Sequence, residues 1–281
     1  MSAHFLNFAA RVLFLWLLLE TTGAHAQPNA NEVSLLQSLG FYSRGSLQNA
    51  SALAPSGMGY IKLFPSRNRQ FGSQELVQVL TAAARAVQGQ FPAGERIQVG
   101  DLSAERGGKI TKHASHQNGL DADLSYFRVN HREQPVEFEN GFDEVFVRNG
   151  RVTENFDIER NWAFFNALIA SGQVQRIFVD PAIKLLYCEL LEELQDATFP
   201  SVQAPSAQEV LRRLRPISNH DDHSHVRLVC QAGNHQCVSQ SDVTAGSGCR
   251  ELRRYSSGLT TVTEEDAHEW WEMLRLEHDG G

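Results

Sequence analysis

Lys112-His113-Ala114-Ser115-His116-Gln117-Asn118-Gly119-Leu120-Asp121-Ala122-Asp123-Leu124-Ser125 sets two histidines and two aspartates within a dozen residues, broken once by a glycine. Read with period two, Leu120, Ala122 and Leu124 point one way and Asp121, Asp123 and Ser125 the other. That pattern predicts a strand with one buried face and one carboxylate-bearing face, reached through a turn at Gly119. His116 lies just before the turn, so the chain can fold it back over the carboxylates. A second stretch answers the first: Asn219-His220-Asp221-Asp222-His223-Ser224-His225-Val226-Arg227-Leu228-Val229-Cys230. Here Ser224, Val226 and Leu228 alternate with His223, His225 and Arg227, and two imidazoles on one strand face suit a metal better than a core.

Beyond residue 26 the chain has nine histidines, and five of them fall in these two clusters with carboxylates between. Zinc takes imidazole nitrogen and carboxylate oxygen, and a catalytic site keeps three protein ligands and one open position. His116 supplies one ligand and Asp121 or Asp123 a second, since both aspartates share a face. Only one of His223 and His225 need bind metal. Residues two apart on a strand are separated by about 6–7 Å, so the other imidazole reaches the substrate or the bound water. Metal lowers the pKa of water to about 7, and an imidazole can accept that proton and pass it to a leaving amine. No His-Glu-x-x-His helix is present and no glutamate stands beside either cluster, so histidine is the expected base.

Residues 1–26 read as a secretory signal peptide, with Arg11 before the apolar run Val12–Leu19 and Ala24-His25-Ala26 before the cut. The alternative is a retained anchor, but the run is short for a bilayer. The remaining chain of about 255 residues can bury a full core. A formal charge of −8 argues against nucleic acid and anionic membrane surfaces as partners. Cys188, Cys230, Cys237 and Cys249 are an even set in an exported chain, which favours disulfides. Their spacing does not suit a four-cysteine zinc site.

Residues 31–59 are turn-rich, and Tyr60–Phe64 reads as a strand closed by Pro65. Ser66-Arg67-Asn68-Arg69 either offers cations to a substrate or is a solvated loop. Ser73 caps a helix running to Val87, and Arg96–Leu102 is a strand leading to the flexible Arg106-Gly107-Gly108-Lys109 loop. Residues 128–141 form a loop over the site, and Asn149-Gly150 is a hairpin turn within Phe142–Arg151. Asp157–Ala170 is a helix, Val174–Val179 a strand, and Pro181–Leu194 and Ala207–Leu214 are helices. Glu264–Leu276 is an acidic amphipathic helix in an otherwise featureless tail. The expected whole is one α+β domain over residues 27–250, a small, mainly antiparallel sheet flanked by helices, with a C-terminal tail from 251 to 281.

His116-x-x-Gly119-x-x-x-Asp123 with His223-x-His225 is similar to the signature of the LAS group of zinc peptidases. That group spans lysostaphin-type enzymes, D-alanyl-D-alanine peptidases and the hedgehog signalling domain. Gly107-Gly108, His113-Ala114-Ser115-His116-Gln117, Arg176–Lys184 and His223-x-His225-Val226-Arg227-Leu228-x-Cys230 resemble, more narrowly, the penicillin-insensitive murein endopeptidase family of the periplasm. The resemblance implies a LAS-type fold and one zinc per chain on His116, Asp123 and His225. It implies His223 as base or transition-state donor, with His113 and His220 lining the site; Ser115, Asp121 and Arg106 are further candidates to contact substrate or support the ligands. It also implies disulfides Cys230–Cys237 and Cys188–Cys249, and hydrolysis of peptidoglycan cross-links in the periplasm through a zinc-activated water. The bonds implied are D-alanyl–meso-diaminopimelate and diaminopimelate–diaminopimelate, cut without an acylatable serine. The rival functions are a D,D-carboxypeptidase of the same group and a non-catalytic protein that binds zinc or peptidoglycan. One departure is Ser46, where relatives carry a cysteine paired near the C-terminus. No cysteine follows Cys249, so the resemblance does not specify what fastens the N-terminal segment.

Overall fold

The two histidine stretches become adjacent strands in the middle of a sheet. A computed structural model describes residues 37–193 and 205–256. In chain order its strands are β1 (Ser38–Phe41), β2 (Arg44–Leu47), β3 (Ser51–Ala52), β4 (Ser56–Gly57), β5 (Tyr60–Lys62), β6 (Phe71–Gly72), β7 (Ile97–Val99) and β8 (Asp121–Ser125). They continue with β9 (Val147–Arg148), β10 (Arg151–Val152), β11 (Val174–Val179), β12 (Leu214–Pro216) and β13 (His223–Leu228). The helices are α1 (Gln74–Gln90), α2 (Ile158–Ala170), α3 (Pro181–Glu193), α4 (Ala207–Arg213) and α5 (Cys249–Ser256). The main sheet has seven strands in the order β12-β11-β13-β8-β7-β5-β4. Two of its junctions, β11/β12 and β5/β7, are parallel and the rest antiparallel, so the fold is α+β in one domain.

Local chemistry explains the helices. Ser73 Oγ accepts from the Leu76 amide at 3.1 Å, and Asp157 Oδ1 from the Arg160 amide at 2.9 Å, so each caps an otherwise unsatisfied first turn. α1 buries Leu76, Leu80, Ala83, Ala84 and Val87, and α2 buries Phe164, Phe165 and Leu168. Both join one core with the sheet face carrying Val99, Ala122, Leu124, Ile177, Val226 and Leu228. Truncating such a side chain, as in Leu124→Ala, costs about 2–5 kcal/mol. The opposite face is left to the charged residues. The hairpin turn at Asn149 and Gly150 has both residues at positive φ (52° and 71°), the backbone that two-residue hairpins require.

The turn-rich N-terminal segment contains a hairpin, β1–β2, that sequence patterning left unresolved. It is fastened by the loop that the Cys230–Cys237 disulfide closes: Gly40 N donates to Gln236 O at 2.8 Å and Val238 N to Gly40 O at 3.0 Å. Asn234 Nδ2 adds a bond to Ser38 O at 2.8 Å. A second disulfide, Cys188–Cys249, joins α3 to α5. The tail opens with a helix, α5, where patterning shows no core element. The expected signal peptide over residues 1–26 and the expected Glu264–Leu276 helix lie outside the described residues. Among those described, no helix is long and apolar enough to cross a membrane.

Candidate metal centre

Register decides the site. β13 lies antiparallel to β8 with His225 opposite Asp123 and Arg227 opposite Asp121, and β11 sets Phe178 opposite His225. Side chains directly across a ladder share a face with Cβ atoms about 4.5–5.5 Å apart. One row across three strands thus carries Phe178, His225 and Asp123.

His116 reaches this row from a loop by an uncommon route. Its backbone is left-handed (φ 65°), and its amide donates to Asp121 Oδ2 at 3.0 Å. Gly119 (φ 75°) makes the following turn, where a Cβ would stand 2.7 Å from Leu47 Cδ1. His116 Nδ1 donates to the Leu102 carbonyl at 2.7 Å, turning Nε2 to within 3.2 Å of Asp123 Oδ1. Both facing atoms are buried and neither has a hydrogen-bond partner. A buried carboxylate oxygen and an imidazole nitrogen left in this way fit a cation held between them. Burial opposes charge on His116, but the Asp123 carboxylate outweighs it and pulls the pKa up to about 9. A proton and a metal ion are alternatives at Nε2.

His225 donates from Nε2 to Asp121 Oδ1 at 2.9 Å, which turns Nδ1 toward Asp123 Oδ1 at 3.5 Å. Burial lowers its pKa to about 4, so its lone pair is free at neutral pH. Asp121 is itself fully buried and held ionised against burial by Arg227, whose Nε donates to it at 2.7 Å. It bonds the His116 amide and the outer nitrogen of His225 rather than facing Asp123, as an orienting carboxylate does.

His113 sits between two aspartates, with Nε2 3.0 Å from Asp101 Oδ2 and Nδ1 3.6 Å from Asp123 Oδ2. Ligand atoms of His113, His116 and Asp123 all lie within 4.8 Å of one another, so His113 competes with His225 for the third position. His225 Nδ1 faces the unpartnered oxygen of Asp123 and His113 faces the other. His223 Nδ1 bonds Asp222, leaving Nε2 3.8 Å from Asp123 Oδ1. Burial opposes its charge, but Asp222 and Asp123 raise its pKa. His220 donates from Nδ1 to Ser218 O at 2.9 Å, and burial beside His223 lowers its pKa to about 3.

These side chains open onto a cleft of about 960 Å³, lined also by Tyr42, Ser115, Phe142, Phe178 and Ser241. Arg106 is exposed and outside that lining, with its carbonyl accepting from Leu47 N at 3.0 Å. Patterning missed Asp101, which lies two residues past the end of β7. Arg67 and Arg69, read as substrate cations or a solvated loop, grip Asp101 at 2.9 and 3.0 Å, and Arg67 also lines the cleft. Burial would raise the Asp101 pKa, but His113 and Arg67 outweigh it and bring it to about 2.

Residues 38–271 match the family model for penicillin-insensitive murein endopeptidase. A protein of that name from Haemophilus influenzae is 32% identical over 230 residues, covering 79% of this chain and 74% of the relative. One from Klebsiella pneumoniae is 29% identical over 246 residues, covering 85% and 84%. With a family match over most of its length, and a relative of 32% identity sharing that name, the chain belongs to the penicillin-insensitive murein endopeptidase family.

Proposed function

We propose that this chain is a zinc endopeptidase that hydrolyses peptide cross-links of peptidoglycan, acting in the periplasm after its signal segment is removed. The bonds are D-alanyl–meso-diaminopimelate, with diaminopimelate–diaminopimelate as the second substrate to test. The observation that carries this reading is the pair of buried, unpartnered atoms, His116 Nε2 and Asp123 Oδ1, with His225 Nδ1 turned to the same oxygen. These three residues would hold one zinc ion. When bound, such an ion polarises a carbonyl and lowers the pKa of water to about 7.

The protein's own groups do the rest. Asp121 orients His225 and the His116 backbone, and Asp222 holds the His223 ring by Nδ1. His223 Nε2 then takes a proton from the attacking water and returns it to the leaving amine. His113 and His220 line the cleft and would contact the substrate.

Digestion of purified sacculi by the full chain, followed by mass analysis of the products, tests this. Cross-linked muropeptides should fall to monomers that keep their terminal D-alanine. Release of free D-alanine with cross-links intact would make the protein a carboxypeptidase. No release of either kind, with zinc bound, would make it a binding protein.

A further inference from the structure

Phe142 lies flat against His223, with ring centroids 5.2 Å apart and planes inclined by only 16°. Several features exist to put it there. Phe142 packs edge-on to Phe64, on whose ring the Arg67 guanidinium rests at 3.8 Å. Gly100 makes the space: a Cβ there would stand 2.7 Å from Phe142 Cζ. The loop around it is clamped by Gln134, a buried amide. Gln134 Nε2 donates to Gly141 O at 2.8 Å, and its Oε1 accepts from Asp143 N at 2.9 Å. Asp143 is gripped in turn by buried Arg128 at 2.6 Å.

We propose that Phe142 is a positioning residue for His223. The bond from Nδ1 to Asp222 fixes one atom of the imidazole, and the His220 ring, 4.9 Å away, is inclined by 32° and does not lie flat on it, so the imidazole keeps a freedom to tilt. A flat ring against its face removes that freedom and keeps Nε2 aimed at the reacting water. This rests on the reading of His223 as the proton carrier. Aliphatic packing would fill the same space without restricting the pivot, and that difference makes the inference testable.

Two variants approach the stack from opposite sides. Phe142→Leu keeps an apolar side chain without a flat face, and Gly100→Ala keeps Phe142 but puts a methyl where its Cζ lies. Both should retain zinc and a cooperative unfolding transition, with Tm lowered by no more than a few degrees. On murein, kcat should fall about 10- to 100-fold at unchanged KM, as displacement of a reacting group by about 1 Å does. In the metal-free protein the His223 Nδ1–H proton resonance, assigned by its loss in His223→Gln, should be sharp in the parent and broadened in both variants. Parent kcat in either variant overturns the proposal, and so does a raised KM at constant kcat, which would make Phe142 a substrate contact. A lost kcat with an unchanged resonance also overturns it. If Phe142→Leu fails to fold, Gly100→Ala decides alone. If the parent does not cleave murein, the wider reading fails, while the resonance still tests the stack.

Discussion

His116 Nε2 and Asp123 Oδ1 face each other at 3.2 Å in the buried floor of the cleft, and neither is hydrogen-bonded. With its pKa raised to about 9, His116 carries a proton at pH 7 in the absence of metal. A zinc ion bound there would have to displace that proton, whereas His225, lowered to about 4, has none to lose. Titration calorimetry in two buffers of different ionisation enthalpy should therefore find about one proton released per zinc at pH 6, below the ionisation of a zinc-bound water. Release of none would remove His116 from the ligand set. The sign for stability follows from the same shift. A folded pKa of about 9 against the ordinary imidazole value of 6.5 stabilises the metal-free chain below pH 6.5, and that stability is lost as pH rises through 9. The Tm of chelated protein should fall over that window, and zinc should restore both Tm and hydrolysis.

Asp121 accepts from His116 N, His225 Nε2 and Arg227 Nε at 3.0, 2.9 and 2.7 Å, with no exposed surface of its own. Asp121→Asn leaves the buried Arg227 guanidinium without a counter-charge, which costs about 3–5 kcal/mol. It also frees the His225 ring, so zinc affinity should drop about 10- to 100-fold. Urea unfolding and competition with a metal indicator measure the two losses. Loss of all zinc with stability intact would make Asp121 a ligand instead.

The two disulfides should separate stability from activity. Loop closure over 7 residues at Cys230–Cys237 and 61 at Cys188–Cys249 corresponds to roughly 2–3 and roughly 4 kcal/mol. Paired Cys→Ser variants should thus lose more Tm at Cys188–Cys249. The Cys230–Cys237 loop holds the β1–β2 hairpin, and Phe41, Tyr42 and Ser43 from that hairpin line the cleft. Opening it should raise KM for murein more than opening the larger loop. Equal KM values in the two variants would refute this link.

Strands β8 and β13 were legible because each has one apolar and one polar face, and period two is visible in five or six residues. Their register was not. His225 opposite Asp123 is a pairing between segments a hundred residues apart, and local pattern holds nothing that sets it. The β1–β2 hairpin was illegible for another reason. Gly40, Gly45 and Ser46 have low strand propensity, and the segment is extended because it pairs with itself and with the distant loop ending at Val238. Asp101 gave no signal because a carboxylate at a strand end is common, and only the fold brings Arg67, Arg69 and His113 onto it.

Three alanine variants settle the division of labour among the histidines. His225 Nδ1 faces the unpartnered Asp123 Oδ1, so His225→Ala should lose zinc and activity together. His223 Nε2 stands farther off at 3.8 Å, and its ring is held by Asp222 and Phe142. His223→Ala should therefore keep zinc while turnover falls about 10²–10⁴-fold, the range for losing a general acid–base group. His113 is the informative third case, because it is grouped with His116 and Asp123 yet faces the other carboxylate oxygen. His113→Ala should keep zinc and raise KM, as a group touching substrate does. Zinc content of each purified variant, measured beside its rate on murein, gives the answer. If His113→Ala loses zinc and His225→Ala keeps it, the third ligand is His113, and the orientation imposed by Asp121 serves substrate rather than metal.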